Sequence, residues 1–265
     1  MLDLEYGQAS DCGKVRGHNE DYLGHVAPEL RAETDTHGWL FVLADGVGGQ
    51  ERGEVASRTA VESLLAGFKQ ARRGDQLRSL LPRLVQAANA KVFETGLTCG
   101  PGGVAMSTTV VACALRFDRI VVSHVGDSRC YSIRNGRVRL LTRDHTVASE
   151  QMRLGGSPLQ PAKVEARNIL TRSLGKGMFV NVDTSDHLVL GDDVFLLCSD
   201  GLHGAVPAAE MASVVTRHHD LNAAARELIA IANERDGSDN ISLQLIRVRR
   251  VERAGMYRGR HYKIA

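Results

Sequence analysis

Leu40-Phe41-Val42-Leu43-Ala44-Asp45-Gly46 is an apolar run long enough for one buried strand, stopped by a turn dipeptide that begins with an acid. The same design recurs along the chain. Residues 120–125 run into Gly126-Asp127, Val194-Phe195-Leu196-Leu197-Cys198 runs into Ser199-Asp200-Gly201, and Asp239-Asn240 stands before the apolar residues 241–248. Three of these acids close strands and one opens a strand, so antiparallel pairing predicts that Asp45, Asp127, Asp200 and Asp239 meet at a single sheet edge. Any one Asp-Gly step is an ordinary turn. Their recurrence at strand ends points to a carboxylate cluster assembled by folding.

Carboxylates held together repel one another by on the order of 4 kcal/mol per pair at 4 Å near a protein surface. A cation must offset that repulsion. Oxygen donors without a cluster of His or Cys favour a hard divalent ion, Mg²⁺ or Mn²⁺, over zinc.

No Pro/Ser-rich linker or composition shift divides the 265 residues, which predicts one domain over 1–248. A net charge of +2 with dispersed basic residues, and 5% aromatics, argue against nucleic acid as a partner. Cys12, Cys99, Cys113, Cys130 and Cys198 form no Cys-x-x-Cys pair and no framework, as expected of reduced thiols in the cytoplasm. Cys198, inside an apolar run, reads as a core residue. Neither a basic-then-apolar leader nor a bilayer-length apolar stretch is present, so a cytoplasmic protein without a membrane partner is expected.

Ala56, Ala60, Leu64, Gly67 and Phe68 share one face of a helix predicted over about 53–70. Leu81, Leu84, Val85, Ala88 and Val92 mark a second, in which Pro82 fits best in the first turn. A glycine-rich break at 100–103 follows. Strands are predicted at 109–115, 120–125, 129–133 and 138–141, with Asn135-Gly136 as a hairpin turn. Residues 144–168, with Gly155-Gly156, Pro158 and Pro161, read as an irregular flap. Helices near 207–217 and 221–234 precede a last strand at 241–248. The expected architecture is α+β, a layered αββα sandwich of two mostly antiparallel sheets flanked by helix pairs. Residues 249–265 set Arg249, Arg250, Arg253, Arg258, Arg260 and Lys263 against Glu252, which reads as a solvated basic tail or, alternatively, a docking segment for an acidic partner.

Arg16-Gly17-His18-Asn19-Glu20-Asp21 adds a guanidinium and two further acids. In extended chain Glu20 and Asp21 face opposite sides, so at most one points straight at a metal. The Arg fork matches phosphate oxygens in a way Lys does not, although a surface Arg–Glu pair would also account for it. Hard ions beside such an Arg suit phosphoester hydrolysis by an activated water, without a covalent intermediate.

Arg16 with Asn19-Glu20-Asp21, Asp45-Gly46-Val47-Gly48-Gly49, Met106-Ser107-Thr108-Thr109, Gly126-Asp127-Ser128-Arg129, Leu141-Thr142-Arg143-Asp144-His145, Asn168 to Gly175, Ser199-Asp200-Gly201 and Asp239-Asn240 stand in one collinear series. The series resembles the ordered motifs of the metal-dependent Ser/Thr protein phosphatases (PPM, type 2C), in particular their compact bacterial members. That resemblance implies that Asp45 bridges two Mn²⁺ or Mg²⁺ ions with the Gly46 carbonyl on one, and that Asp200 and Asp239 complete the first. It implies that Glu20 acts through waters, Asp21 holds the nucleophilic water, Arg16 binds the substrate phosphate, and Asp127 joins Asp200 at a weaker third ion. It further implies phosphoprotein substrates, a cognate Ser/Thr kinase and a monomer. Two departures stand out. Val47 stands where some relatives have His after Asp-Gly, so the leaving seryl oxygen would take its proton from metal-bound water, or from His18 or His124, which more often prove structural; and the flap is shorter than usual. A phosphoprotein sensor that has lost the chemistry and a hydrolase of small phosphate esters are the alternatives.

Overall fold

A computed structural model describes residues 2–28, 38–47, 52–72, 74–99, 103–154, 169–251, 254–257 and 260–263. Its strands are β1 (Asp3–Asp11), β2 (Asp21–Val26), β3 (Trp39–Asp45), β4 (Val110–Arg116), β5 (Arg119–Val125), β6 (Arg129–Arg134), β7 (Arg137–Leu140), β8 (Asp183–Leu188), β9 (Val194–Cys198) and β10 (Ile241–Arg250). They form two five-stranded sheets, ordered β1-β10-β9-β6-β7 and β2-β3-β4-β5-β8. Every neighbouring pair in them is antiparallel. The helices are α1 (Gly53–Lys69), α2 (Leu77–Thr98), α3 (Val147–Arg153), α4 (Asp200–His203), α5 (Ala208–Arg217) and α6 (Leu221–Arg235).

The alternation of side chains along β3 shows how the layers arise. Leu40, Val42 and Ala44 pack with Ala56, Ala60, Leu64 and Phe68 of α1 and with Leu81, Val85, Ala88 and Val92 of α2. Phe41 and Leu43 face the other way and meet Phe195, Leu197, Ile246 and Val248 of the opposite sheet. A strand buried on both faces must be apolar throughout, which is why it reads as an unbroken run. On the far side, α4, α5 and α6 cover Leu196, Cys198, Leu243 and Leu245. The expected αββα sandwich is the fold, and Cys198 is the fully buried core residue predicted for it.

Several local expectations are corrected. The polar strands β1, β2 and β8 lacked a signal; all three are sheet edges, whose exposed positions accept polar residues. The flap begins with a helix, because the Thr146 hydroxyl accepts the Ser149 N–H at 3.3 Å and caps α3. Pro82 lies in the second turn of α2, where it leaves the exposed Arg78 without the usual i+4 donor. Asn135 and Gly136 take φ of 50° and 72°, as the hairpin requires. β10 continues through Arg249, which donates to Glu5 Oε2 at 2.7 Å, and β11 (Ala254–Tyr257) pairs with β12 (Arg260–Lys263). The predicted tail therefore includes a strand end and a hairpin. Gly48-Gly49, the break at 100–102, Gly155-Gly156, Pro158, Pro161, Asn168, Glu252, Arg253 and Arg258 lie outside the described residues.

Candidate metal centre

The inter-sheet layer changes from apolar to polar at one end of the sandwich. On β3 the alternation Phe41, Leu43 arrives at Asp45, and Asp21 of β2 stands opposite it in register. On β9 the sequence Phe195, Leu197 arrives at Ser199; on β10 Ile246 gives way to Gln244 and Ser242. These polar groups satisfy one another. The Ser199 hydroxyl donates to Asp21 Oδ2 at 2.9 Å and accepts the Ser242 N–H at 3.0 Å, while Thr109 and Ser128 share a hydrogen bond of 2.6 Å. Asp45 is fixed through its backbone: its carbonyl accepts from the Thr108 hydroxyl at 2.7 Å and the Thr109 N–H at 2.8 Å.

Asp45, Gly46, Asp127, Asp200 and Asp239 line one cavity of about 300 Å³, together with Arg16 and Lys176. The acids do not share a single sheet edge, as the sequence suggested. Asp45 and Asp127 end β3 and follow β5 of one sheet, whereas Asp200 and Asp239 flank β9 and β10 of the other. Face-to-face packing of the sheets brings both pairs to the same end.

Glu20 and Asp21 separate, as an extended segment requires. Asp21 is buried in the sandwich, while the Glu20 carboxylate rests on the first turn of α1. There a Cβ on Gly53 would come within 2.9 Å of Glu20 Cδ, and one on Gly46 within 2.5 Å of the Gly53 backbone. Gly46 is thus fixed by backbone packing, whereas a side chain at Gly53 would displace the Glu20 carboxylate. Arg16 Nη2 sits 2.9 Å from Asp239 Oδ2 at the cavity rim. Asn240, for which the sequence suggested no separate role, ties the segment down. Its amide donates to the carbonyls of Cys12 and His18 at 2.9 and 3.0 Å and accepts the Glu20 N–H at 2.8 Å. Lys176 was also missed, and its only local signal is a cation directly after the Ser173-Leu174-Gly175 turn.

Burial raises the affinity of Asp21, Asp45, Asp127 and Asp200 for protons, and repulsion from neighbouring acids adds to it. Asp21 is pushed up to about 7 by burial, against the Ser242 and Ser199 hydrogen bonds, with Asp200 adding to the rise. Asp127 is pushed up to about 7 by burial and by Asp200 and Asp144. Burial and then Asp21 hold Asp45 well above the carboxylate range, and burial and then Asp239 raise Asp200. Asp21 Oδ1 and Asp200 Oδ1 are buried without a hydrogen-bond partner. Orphaned carboxylate oxygens in an all-oxygen set fit a hard divalent cation.

His124, His145 and Asp183 also cluster, with donor atoms within 4.8 Å of one another. A guanidinium takes the cation's place there. Arg172 Nη1 lies 2.9 Å from Asp183 Oδ1 and 3.3 Å from His145 Nε2. His145 Nδ1 accepts the Gly126 N–H at 3.1 Å and so braces the turn before Asp127, while His124 Nε2 donates to the Arg143 carbonyl at 2.8 Å and ties β5 to that segment. His124 is the structural histidine expected. His203 braces the same loop by donating from Nε2 to the Asp127 carbonyl at 3.0 Å.

Close packing at Gly201 is as strict as at Gly46. A Cβ there would stand 2.2 Å from the Asn240 carbonyl oxygen. Gly201→Ala is expected to cost about 1–3 kcal/mol, lowering Tm by roughly 3–10 °C in scanning calorimetry. An unchanged Tm would mean that the two loops are free to separate.

A family model described as protein phosphatase 2C matches residues 17–245. The chain is 34% identical over 258 residues to "Serine/threonine phosphatase stp" of Listeria innocua, covering 95% of this chain and 96% of that one. Among solved structures, the serine/threonine phosphatase of S. agalactiae superposes with a TM-score of 0.82 at 31% identity, over 93% of this chain and 100% of that one. The catalytic domain of the serine/threonine protein phosphatase PstP, in complex with 2 manganese ions, gives a TM-score of 0.79 at 28% identity, over 94% of this chain and 100% of its own. By the family model and by these relatives, the chain belongs to the protein phosphatase 2C family.

Proposed function

We propose that this member of the family works as a monomeric cytoplasmic enzyme opposing a cognate Ser/Thr kinase, through a single domain over 1–248 with a flap at 144–168 and a basic segment at 249–265. The reaction is metal-dependent hydrolysis of phosphoserine and phosphothreonine in proteins, with Mn²⁺ or Mg²⁺ as cofactor. Among the described residues no helix is long and apolar enough to cross a membrane. The convergence of Asp45, Asp127, Asp200, Asp239 and Arg16 on one cavity carries the proposal.

In this reading Asp45, Asp200 and Asp239 with the Gly46 carbonyl hold the core ions, Glu20 acts on them through water, and Asp127 with Asp200 offers a weaker third position. Bound there, the ions supply the positive charge that lets a water ionise near neutral pH and offsets charge growing on the phosphoryl oxygens. Asp21 Oδ1, buried and without a partner, holds a proton of the attacking water. Arg16 turns its fork from Asp239 to the substrate phosphate.

A charge-assisted fork of this kind is worth about 1.5–3 kcal/mol, so Arg16→Ala is expected to raise KM for a phosphothreonine peptide by roughly 10–100-fold with a smaller change in kcat. Initial rates over a range of peptide concentrations with saturating Mn²⁺ measure it. A wild-type KM in the variant would remove Arg16 from phosphate binding.

A further inference from the structure

A second, larger cavity of about 920 Å³ opens from the same acids, since Asp127, Asp200 and Asp239 line both. One bank is the start of the flap, with Arg143, Ser149, Met152 and Arg153; the other carries Asp236 and Ser238. The Arg129–Asp144 pair in its wall is closed on itself by bonds of 2.9 and 2.6 Å.

The cavity lining carries Asp127, Asp144, Asp200, Asp236 and Asp239 against Arg129, Arg143 and Arg153, and Arg143 and Arg153 gather on the flap bank, away from the acids of the metal centre. Among the described residues Arg143, Arg153 and Arg172, the last outside the cavity lining, share Glu150 and Asp183. Arg172, the least exposed of the three, takes Asp183 Oδ1 at 2.9 Å and Glu150 Oε1 at 3.4 Å. That leaves Arg153 at 3.3 Å from Glu150 Oε2 and Arg143 at 3.5 Å from Asp183 Oδ2, with the two side chains 54% and 49% exposed. Neither contact is shorter than 3.3 Å, and if the outer arginine turns away Asp183 keeps the 2.9 Å bond to Arg172 while Glu150 keeps the 3.4 Å contact with Arg172. Beside them Met152 and Leu140 expose apolar surface, 64% and 41% respectively. Cations with replaceable partners next to open apolar side chains are what a groove presents to a passing acidic segment.

Resting on the phosphatase reading above, we infer that this groove receives the substrate residues that flank the phosphorylated one, and that Arg143 and Arg153 select an acidic side chain among them. A segment whose phosphate sits at the shared acids has its next few residues, ~3.3 Å apart, in the adjoining space. Exposed ion pairs are individually weak, so the preference is one of degree.

Paired phosphothreonine peptides, identical except for Glu or Lys at the positions two and three residues to either side of the phosphothreonine, test this with the wild-type protein in Mn²⁺. The Glu peptides are expected to have a kcat/KM about five- to tenfold higher, expressed in KM, with the ratio shrinking in about 0.5 M salt. In the double variant Arg143→Glu, Arg153→Glu the ratio inverts. Wild-type turnover of p-nitrophenyl phosphate reads the acid cluster alone. Equal kcat/KM for both peptide sets while p-nitrophenyl phosphate is hydrolysed overturns the groove inference only, as does a ratio that the double variant leaves unchanged. Failure to hydrolyse either p-nitrophenyl phosphate or any peptide overturns the phosphatase reading and this inference with it.

Discussion

Asp200→Asn is expected to lower kcat/KM on a phosphothreonine peptide by on the order of a thousandfold or more, and to abolish the heat of Mn²⁺ binding. Losing one ligand of the core ions removes several kcal/mol of charge stabilisation, and each decade in rate corresponds to about 1.4 kcal/mol. Asn keeps the size of the side chain and an oxygen acceptor, so the turn from β9 into α4 stays formed. The folded metal-free protein should even gain from the change. Asp200 is buried among Asp239, Asp45 and Asp127, whose mutual repulsion no cation then offsets. The variant should therefore melt at or above the wild-type temperature in EDTA while failing to rise in Mn²⁺. Wild-type turnover, or an unaltered binding isotherm, would remove Asp200 from the centre.

Without divalent ions the acid cluster's contribution to stability is expected to grow as pH falls from about 7 toward 5. Asp21 and Asp127 are each pushed up to about 7 in the folded state, mainly by burial. Their counterparts in the unfolded chain ionise near 4. Between those values the folded protein must keep protons that the unfolded chain has already released. The resulting destabilisation is absent below about 4, grows as pH rises, and is complete above about 7. At about 1.4 kcal/mol per unit each group contributes up to on the order of 4 kcal/mol, and interaction among the acids keeps the contributions from adding. Burial holds His145 and His203 down to about 4 and lowers His25, His124 and His187, so keeping these rings neutral costs stability as pH falls below about 6.5, which opposes the acids. Asp183 and Glu210 also act in the opposite sense. His145 and Arg172 outweigh burial to hold Asp183 down, and Arg235 holds Glu210 down, so their stabilisation is lost only as pH falls below the ordinary carboxylate range. With saturating Mn²⁺ the dependence reverses, because protons then displace the ions that hold the acids together. The histidines are common to both conditions, so the rise in Tm from EDTA to Mn²⁺, measured from pH 5 to 8, isolates the cluster and should grow with pH; a rise that does not grow would contradict the cluster's electrostatics.

How much of this was legible depended on where each segment lies in the layers. β3, β9 and β10 are covered on both faces, so they read as apolar runs, and the acids at their ends stood out. β1 and β8 are sheet edges whose polar residues are held by pairing with one neighbour, and no local pattern marks them. Local sequence also says nothing of strand order. That is why the acids were placed at one sheet edge, although two sheets supply them. Asp21 could be assigned to one side of an extended segment, but not to the inside, since its burial depends on Asp45 and on Ser199, 178 residues away. The Arg16–Asp239 contact and the clamp made by Asn240 are long-range in the same way. The helix at the start of the flap was hidden among polar residues and became visible only with the cap at Thr146.

Crystals grown with Mn²⁺ and measured above the manganese absorption edge test the central claim most directly. The prediction is a pair of anomalous peaks in the cavity of about 300 Å³, in contact with Asp45, Asp200 and Asp239. An anomalous map with no peak there, and Arg16 still resting on Asp239, would contradict it.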